Sequence, residues 1–185
     1  MLFGKRKEEQ PQPDLSLEQT ASFVQAVAGY IRTQRETYYG KASPLAFSEI
    51  WSRFFSVSDL ERIRILQPGQ ERVPNPPFYA DLEKMGFTGL PDFTTMAAIT
   101  FDDVVVFHDP LTPQLIFHEM VHIVQYRLLG IDEFARLYVR GYLHGGYSGT
   151  PLEVCAYDLD GRFIMGSVGF DVEAEVRSWI ENGKF

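Results

Sequence analysis

Apolar residues recur at helical spacing along most of this chain, and one short stretch carries the β-branched, aromatic pattern of strands. Phe23, Val24, Val27, Ala28 and Ile31 fall on one helical face, and Ser16-Leu17-Glu18-Gln19 before them has the form of a capping box. A helix is therefore predicted from Ser16 to about Tyr39, ended by Tyr38-Tyr39-Gly40. Phe47 to Phe55 reads as a short amphipathic helix, and Ser58-Asp59-Leu60-Glu61 as a second capping box opening a helix to about Leu66. Gln67 to Gly89 is rich in proline and reads as loop, with a helical turn at Tyr79–Met85. Met96–Phe101 and Val104–Phe107 flank Asp102-Asp103, so Thr94–Phe107 predicts a β-hairpin. Thr112-Pro113 then starts a helix that Gly130 stops, with Leu115, Ile116, Val121, Val124, Leu128 and Leu129 as its apolar stripe. Asp132 predicts a helix to about Arg140, Gly141–Gly149 a glycine- and tyrosine-rich loop, Thr150-Pro151 a helix to about Met165, and Asp171 a last helix to about Glu181. No internal repeat is present. The expected fold is α+β and helix-rich, with a small sheet or hairpin ahead of the helix at 113–130.

Composition bounds the function. At 185 residues with 45% hydrophobic positions, the chain is long enough for one domain with a proper core. The expected organisation is a flexible tail at residues 1–15 and a single domain at 16–185. A net charge of −8 argues against a nucleic-acid-binding surface. The single cysteine, Cys155, excludes an internal disulfide and points to a reducing, cytoplasmic setting. No apolar run approaches the length of a membrane span, and no apolar region follows the basic residues near Met1, so neither a span nor a secretion signal is expected.

The stretch His118-Glu119-Met120-Val121-His122 carries chemistry. Residues four apart share a helix face, so both imidazoles can reach one Zn²⁺ at about 2.0–2.1 Å. Glu119 then lies beside the metal, where it can take a proton from water that the metal acidifies. Catalytic zinc sites usually have three protein ligands, so a third is required.

Downstream stands Tyr147-x-x-x-Pro151-x-Glu153-x-x-Ala156 at the start of a helix. With it, the stretch from about Ala97 to Arg162 resembles the gluzincins, zinc metallopeptidases of the thermolysin-like group, in a minimal single-domain form. The resemblance implies a zincin-like domain, Glu153 as the third ligand, Glu119 as general base, and Ala156 as the small residue that lets two helices pack closely. It also implies that the strand before the zinc helix binds extended substrate, and that a Tyr or His near the metal stabilises an oxyanion. Tyr142, His144 and Tyr147 are the candidates, with Tyr147 inside the matching motif. The residues alone leave two readings of Glu153, because Thr150-x-x-Glu153 is also a capping box; the need for a third ligand favours the metal.

The chain departs from the family pattern at Tyr157, where several gluzincins carry an Asp that bonds a zinc histidine. Asp160 and Gln125 share the right helix faces, but the sequence does not say which group orients the histidines. Cys155 reads as core, and His108 as a capping or packing residue. The expected function is a Zn²⁺-dependent hydrolase acting on peptide or protein, with oligomeric state left open. The alternative is a catalytically silent zinc-binding module of the same fold.

Overall fold

The computed structural model describes residues 13–46, 48–67, 69, 72–146, 149–166 and 168–185. The fold is α+β: helices α1 (Leu17–Tyr39), α2 (Val57–Arg62), α3 (Tyr79–Lys84), α4 (Pro113–Gly145), α5 (Pro151–Ile164) and α6 (Val172–Glu181) surround strands β1 (Ser43–Pro44), β2 (Arg64–Leu66), β3 (Ala98–Phe101) and β4 (Val104–Phe107). The sheet order is β1-β2-β4-β3, with β2 and β4 parallel and the other pairs antiparallel. No helix among the described residues is long and apolar enough to cross a membrane.

The hairpin is where the residues put it. Val104–Phe107 is wholly buried, the pattern of a strand covered on both faces. Val105 and Phe107 face one apolar cluster, with Trp51, Phe54, Phe117, Met120 and Leu159. Val106 faces a second, with Phe23, Val27, Ile31, Phe101, Tyr126 and Tyr142. Asp102 turns the chain with φ +57°, a conformation that Asp tolerates better than most residues. The two capped long helices also form as predicted. Ser16 and Gln19 make the reciprocal capping box of α1, and the Asp171 carboxylate caps α6 through the Ala174 amide.

Three predicted elements come out differently. Phe47 lies outside the described residues, and of the helix expected through Phe55 there is only a 3-10 turn, Trp51–Arg53. The Phe54 carbonyl accepts instead from the Val172 amide, because Phe54 is pulled into the aromatic cluster with Phe117 and Phe170. The next helix is capped by Ser56 rather than Ser58 and stops at Arg62. Arg64–Leu66, expected to finish that helix, pairs with Val104–Val106 as a strand. Residues 141–145, expected as loop, continue α4. Gly130 does break the helix, with φ +77°, but the chain resumes helix at once as a second arm. Asp132 there accepts from Arg32 on α1.

Gly141 is needed for close approach rather than flexibility. A Cβ at Gly141 would stand 2.8 Å from Pro151 Cδ and 2.9 Å from Thr150 Cα, where the second arm of α4 crosses the start of α5. Gly29, in α1, meets nothing within 4 Å. Gly141→Ala is therefore expected to destabilise by about 1–3 kcal/mol through overpacking. Gly29→Ala should instead stabilise by up to about 1 kcal/mol through helix propensity. Thermal melts of both variants beside wild type check the opposite signs.

Candidate metal centre

His118 and His122 sit on the first arm of α4, and their Nε2 atoms face each other at 3.2 Å. Their other nitrogens fix the tautomers. Gln125 donates its amide N–H to the Leu152 carbonyl at 3.0 Å, so its Oε1 is left to accept from His122 Nδ1 at 2.8 Å. His118 Nδ1 donates to Asp160 Oδ2 at 2.9 Å. With Nδ1 of each histidine engaged in this way, a neutral imidazole at either position would turn its Nε2 lone pair toward the other.

The third group arrives from α5. Gln125 meets Leu152 and His118 meets Asp160, so α5 runs antiparallel to this arm of α4. That packing points Glu153 at the histidines, 3.4 Å from His118 Nε2 to Oε2 and 3.6 Å from His122 Nε2 to Oε1. The capping-box reading of Glu153 is not what forms. Thr150 makes no side-chain cap, its hydroxyl is buried without a hydrogen bond, and Glu153 Oε2 is likewise buried and accepts none. Among the described residues, His118, His122 and Glu153 form a buried group with one ligand atom each, all within 4.8 Å of one another.

These separations suit a metal. A tetrahedral ion bound at about 2.0–2.1 Å holds its ligand atoms roughly 3.3 Å apart. Here the two Nε2 atoms stand 3.2 Å apart, and each has one Glu153 oxygen nearby, Oε2 at 3.4 Å from His118 and Oε1 at 3.6 Å from His122. A charge-assisted N–H···O contact would be shorter, about 2.7–2.9 Å. Electrostatics point the same way. Burial pulls the His118 imidazole down, but the hydrogen bond to Asp160 and the nearby Glu153 and Glu119 carboxylates outweigh it and push it up to about 10. Burial also opposes charge on His122, which Glu153 nevertheless raises. Burial pushes the Glu153 carboxyl up, yet His122 and His118 hold it well below the usual carboxylate range. Three acceptors packed together call for positive charge in their midst, whether a proton or a cation.

Glu119 is buried beside this group and its Oε2 accepts from the Thr100 hydroxyl at 2.6 Å. The one hydroxyl of strand β3 thereby fixes the carboxylate that lies between the two histidines in sequence. Both open onto a cleft walled by β3, α1, α4 and the 74–96 segment.

The proposed oxyanion donors fall apart as a set. Tyr142 lines the cleft, but its hydroxyl donates to the Thr88 carbonyl. His144 is exposed, bonded to Arg140 O, and lines a separate depression near the C-terminal residues. Tyr147 lies outside the described residues. Tyr157, where the family pattern has Asp, packs its ring 4.6 Å from that of His118 and is half exposed, so the orienting carboxylate comes from Asp160 one turn on. Cys155 is fully buried in core, and His108 packs as a bridge between Val73 N and Met96 O. Thr100 was not expected as a site residue; its signal is a lone polar side chain in an otherwise apolar strand.

Comparison of the chain with family models, with curated proteins and with solved structures gives no match. Its site therefore has to be read from its own geometry. Asp160→Ala should weaken binding of a divalent metal by about 10- to 100-fold, the usual scale for losing a group that orients a ligand histidine. Asp160→Asn keeps an acceptor and should lose less. Metal titration by calorimetry, with melting temperatures as control, checks that order.

Proposed function

We propose that this protein is a zinc-dependent metallohydrolase, a peptidase with a zincin-like domain and the ligand set of a gluzincin: His118, His122 and Glu153. The observation that carries the proposal is the buried meeting of two imidazole nitrogens, 3.2 Å apart, with one carboxylate, a ligand atom of each residue lying within 4.8 Å of the others. Their chemistry, two imidazole nitrogens and one carboxylate, is that of catalytic zinc. Zinc held there would polarise a substrate carbonyl and acidify a water molecule.

The chain's own residues do the rest. Asp160 and Gln125 keep the Nδ1 protons in place, so that Nε2 of each histidine stays available. Glu119 is the general base. Thr100 holds its Oε2, leaving Oε1 to take a proton from water in the cleft and pass it on to the leaving amine. The outer edge of β3, where the Thr100 carbonyl already meets the Tyr126 hydroxyl, suits an extended polypeptide. His108 N donates to Ala97 O, and antiparallel pairing alternates, so Ile99 and Phe101 bond to β4 while the backbone groups of Ala98 and Thr100 face away from it. Both residues line the cleft, beside the metal group. A peptide added there would run past Glu119. A silent zinc module is the weaker reading, because ligation alone needs neither Glu119 nor its anchor Thr100. The cytoplasmic setting expected from the lone cysteine is part of the same proposal.

Glu119→Gln keeps the size and hydrogen bonding but cannot accept a proton. It should retain zinc and the fold while peptide hydrolysis falls by about 10² or more. Glu153→Ala should lose zinc and activity together. Zinc content, melting temperature and cleavage of a peptide library, measured side by side, decide it. Zinc-loaded wild type that cleaves nothing would remove the peptidase reading. Activity in Glu119→Gln equal to wild type would remove the assigned base.

A further inference from the structure

A histidine outside the metal group is held in a single protonation state by two backbone groups. The Val73 amide donates to His108 Nε2 at 3.0 Å, so that nitrogen is bare. Across the ring, the Met96 carbonyl stands 2.9 Å from Nδ1, so Nδ1 carries the proton. An amide N–H cannot accept and a carbonyl cannot donate. Only the neutral imidazole protonated on Nδ1 makes both bonds.

The ring stands at a joint. Its own backbone belongs to the hairpin end, where the His108 amide donates to the Ala97 carbonyl. Its side chain ties the two ends of residues 73–96 to that point. This segment is the roof that brings Phe78, Tyr79, Leu90 and Phe93 to the cleft. Val73 is only 1% exposed, so water is poorly placed to replace a lost acceptor for its amide. Further ties lie deeper in the roof. Tyr30 holds the Pro74 carbonyl, Tyr142 holds the Thr88 carbonyl, and Asn75 bonds Asp92 and the Phe93 amide. None of those groups titrates near neutrality.

The charged groups that face the ring are Arg72 from the roof side and Asp109 from the chain after the hairpin, themselves 3.5 Å apart. Arg72 also donates to the Met96 carbonyl at 3.3 Å. Burial and the Arg72 charge outweigh the Met96 carbonyl and the Asp109 charge, and hold the imidazole below the ordinary histidine value. A histidine shifted down contributes its full stability above the ordinary value of about 6.5, and loses it as pH falls through the lower folded value.

We propose that His108 is a pH-sensitive latch on the cleft. Neutral, it fastens residues 73–96 to the end of the hairpin. Protonated, it turns an N–H toward the Val73 amide and releases the neck of the roof. The latch goes beyond the metallohydrolase reading and does not depend on it, because no proposed ligand takes part.

The test is hydrogen exchange of the full-length protein at about pH 7.5 and about pH 5.5, expressed as protection so that the pH dependence of intrinsic exchange is removed. Protection of residues 73–96 should fall by about three- to tenfold at the lower pH, since one linked proton changes an opening equilibrium by at most about tenfold per pH unit. Protection of α6 should hold. His108→Gln keeps a donor and an acceptor but does not titrate in this range, so the fall should disappear. Equal protection of 73–96 at both pH values, the same fall in His108→Gln, or an equal loss in α6 overturns the latch. A nuclear magnetic resonance titration of wild type decides the matter if the variant does not fold. The Val73 amide shift should follow the His108 ring with one midpoint below about 6.5. A Val73 amide that ignores the ring's titration overturns the latch as well.

Discussion

Two imidazole Nε2 atoms and a buried carboxylate oxygen that accepts no hydrogen bond meet across the contact between α4 and α5. Bringing three acceptors together inside a protein is unfavourable unless positive charge joins them. Much of the surrounding structure holds them there. Gln125 links His122 to the Leu152 carbonyl, and Asp160 links His118 to the far end of α5. Cys155 and Ala156, both fully buried, let the helices approach, and Gly141 removes the side chain that would hold Pro151 away. The Arg127 guanidinium, paired with buried Asp59 and with Glu173, ties the same arm of α4 to α2 and α6.

The sheet serves this arrangement from the other side. Thr100 stands on the edge strand with its hydroxyl on Glu119 and its carbonyl near the Tyr126 hydroxyl. One residue thus places the carboxylate and borders the backbone edge where an extended chain would lie. The roof at residues 73–96 closes the same cleft, held by His108 at the end of the hairpin. The two proposed histidine ligands, the proposed base and the edge are therefore positioned by two neighbouring elements, the hairpin and the first arm of α4, and the proposed third ligand by α5.

Features encoded over a few neighbouring residues are legible in the sequence alone. The Thr-Pro starts, the Ser16 box, the Asp171 cap and the run Val104–Phe107 signal their elements through short-range geometry, and those elements form. The failures share one cause, which is tertiary contact overriding local preference. Arg64–Leu66 joins the sheet because β4 offers a partner on that side, and Phe54 gives its carbonyl to Val172 instead of continuing a helix. Gly141 reads as a breaker but is a packing residue. In the site, His118, His122, Glu119 and Glu153 could be singled out by spacing and by resemblance. Asp160 and Gln125 could only be placed on the right faces, since the antiparallel register of α4 and α5 decides which histidine each one reaches. The aromatic and proline residues of 67–89 suit either a cleft wall or surface packing by sequence, with surface packing preferred, and the structure puts Pro76, Phe78 and Tyr79 in the cleft.

The central claim is that His118, His122 and Glu153 close around one zinc ion. X-ray absorption spectroscopy on the zinc-loaded protein tests it most directly. The account predicts two imidazole nitrogens and at least one oxygen at about 2.0–2.2 Å, with the imidazole signal halved in His118→Ala and the nearest-oxygen signal altered in Glu153→Ala. A zinc spectrum without imidazole scattering, or one unchanged in both variants, would contradict it.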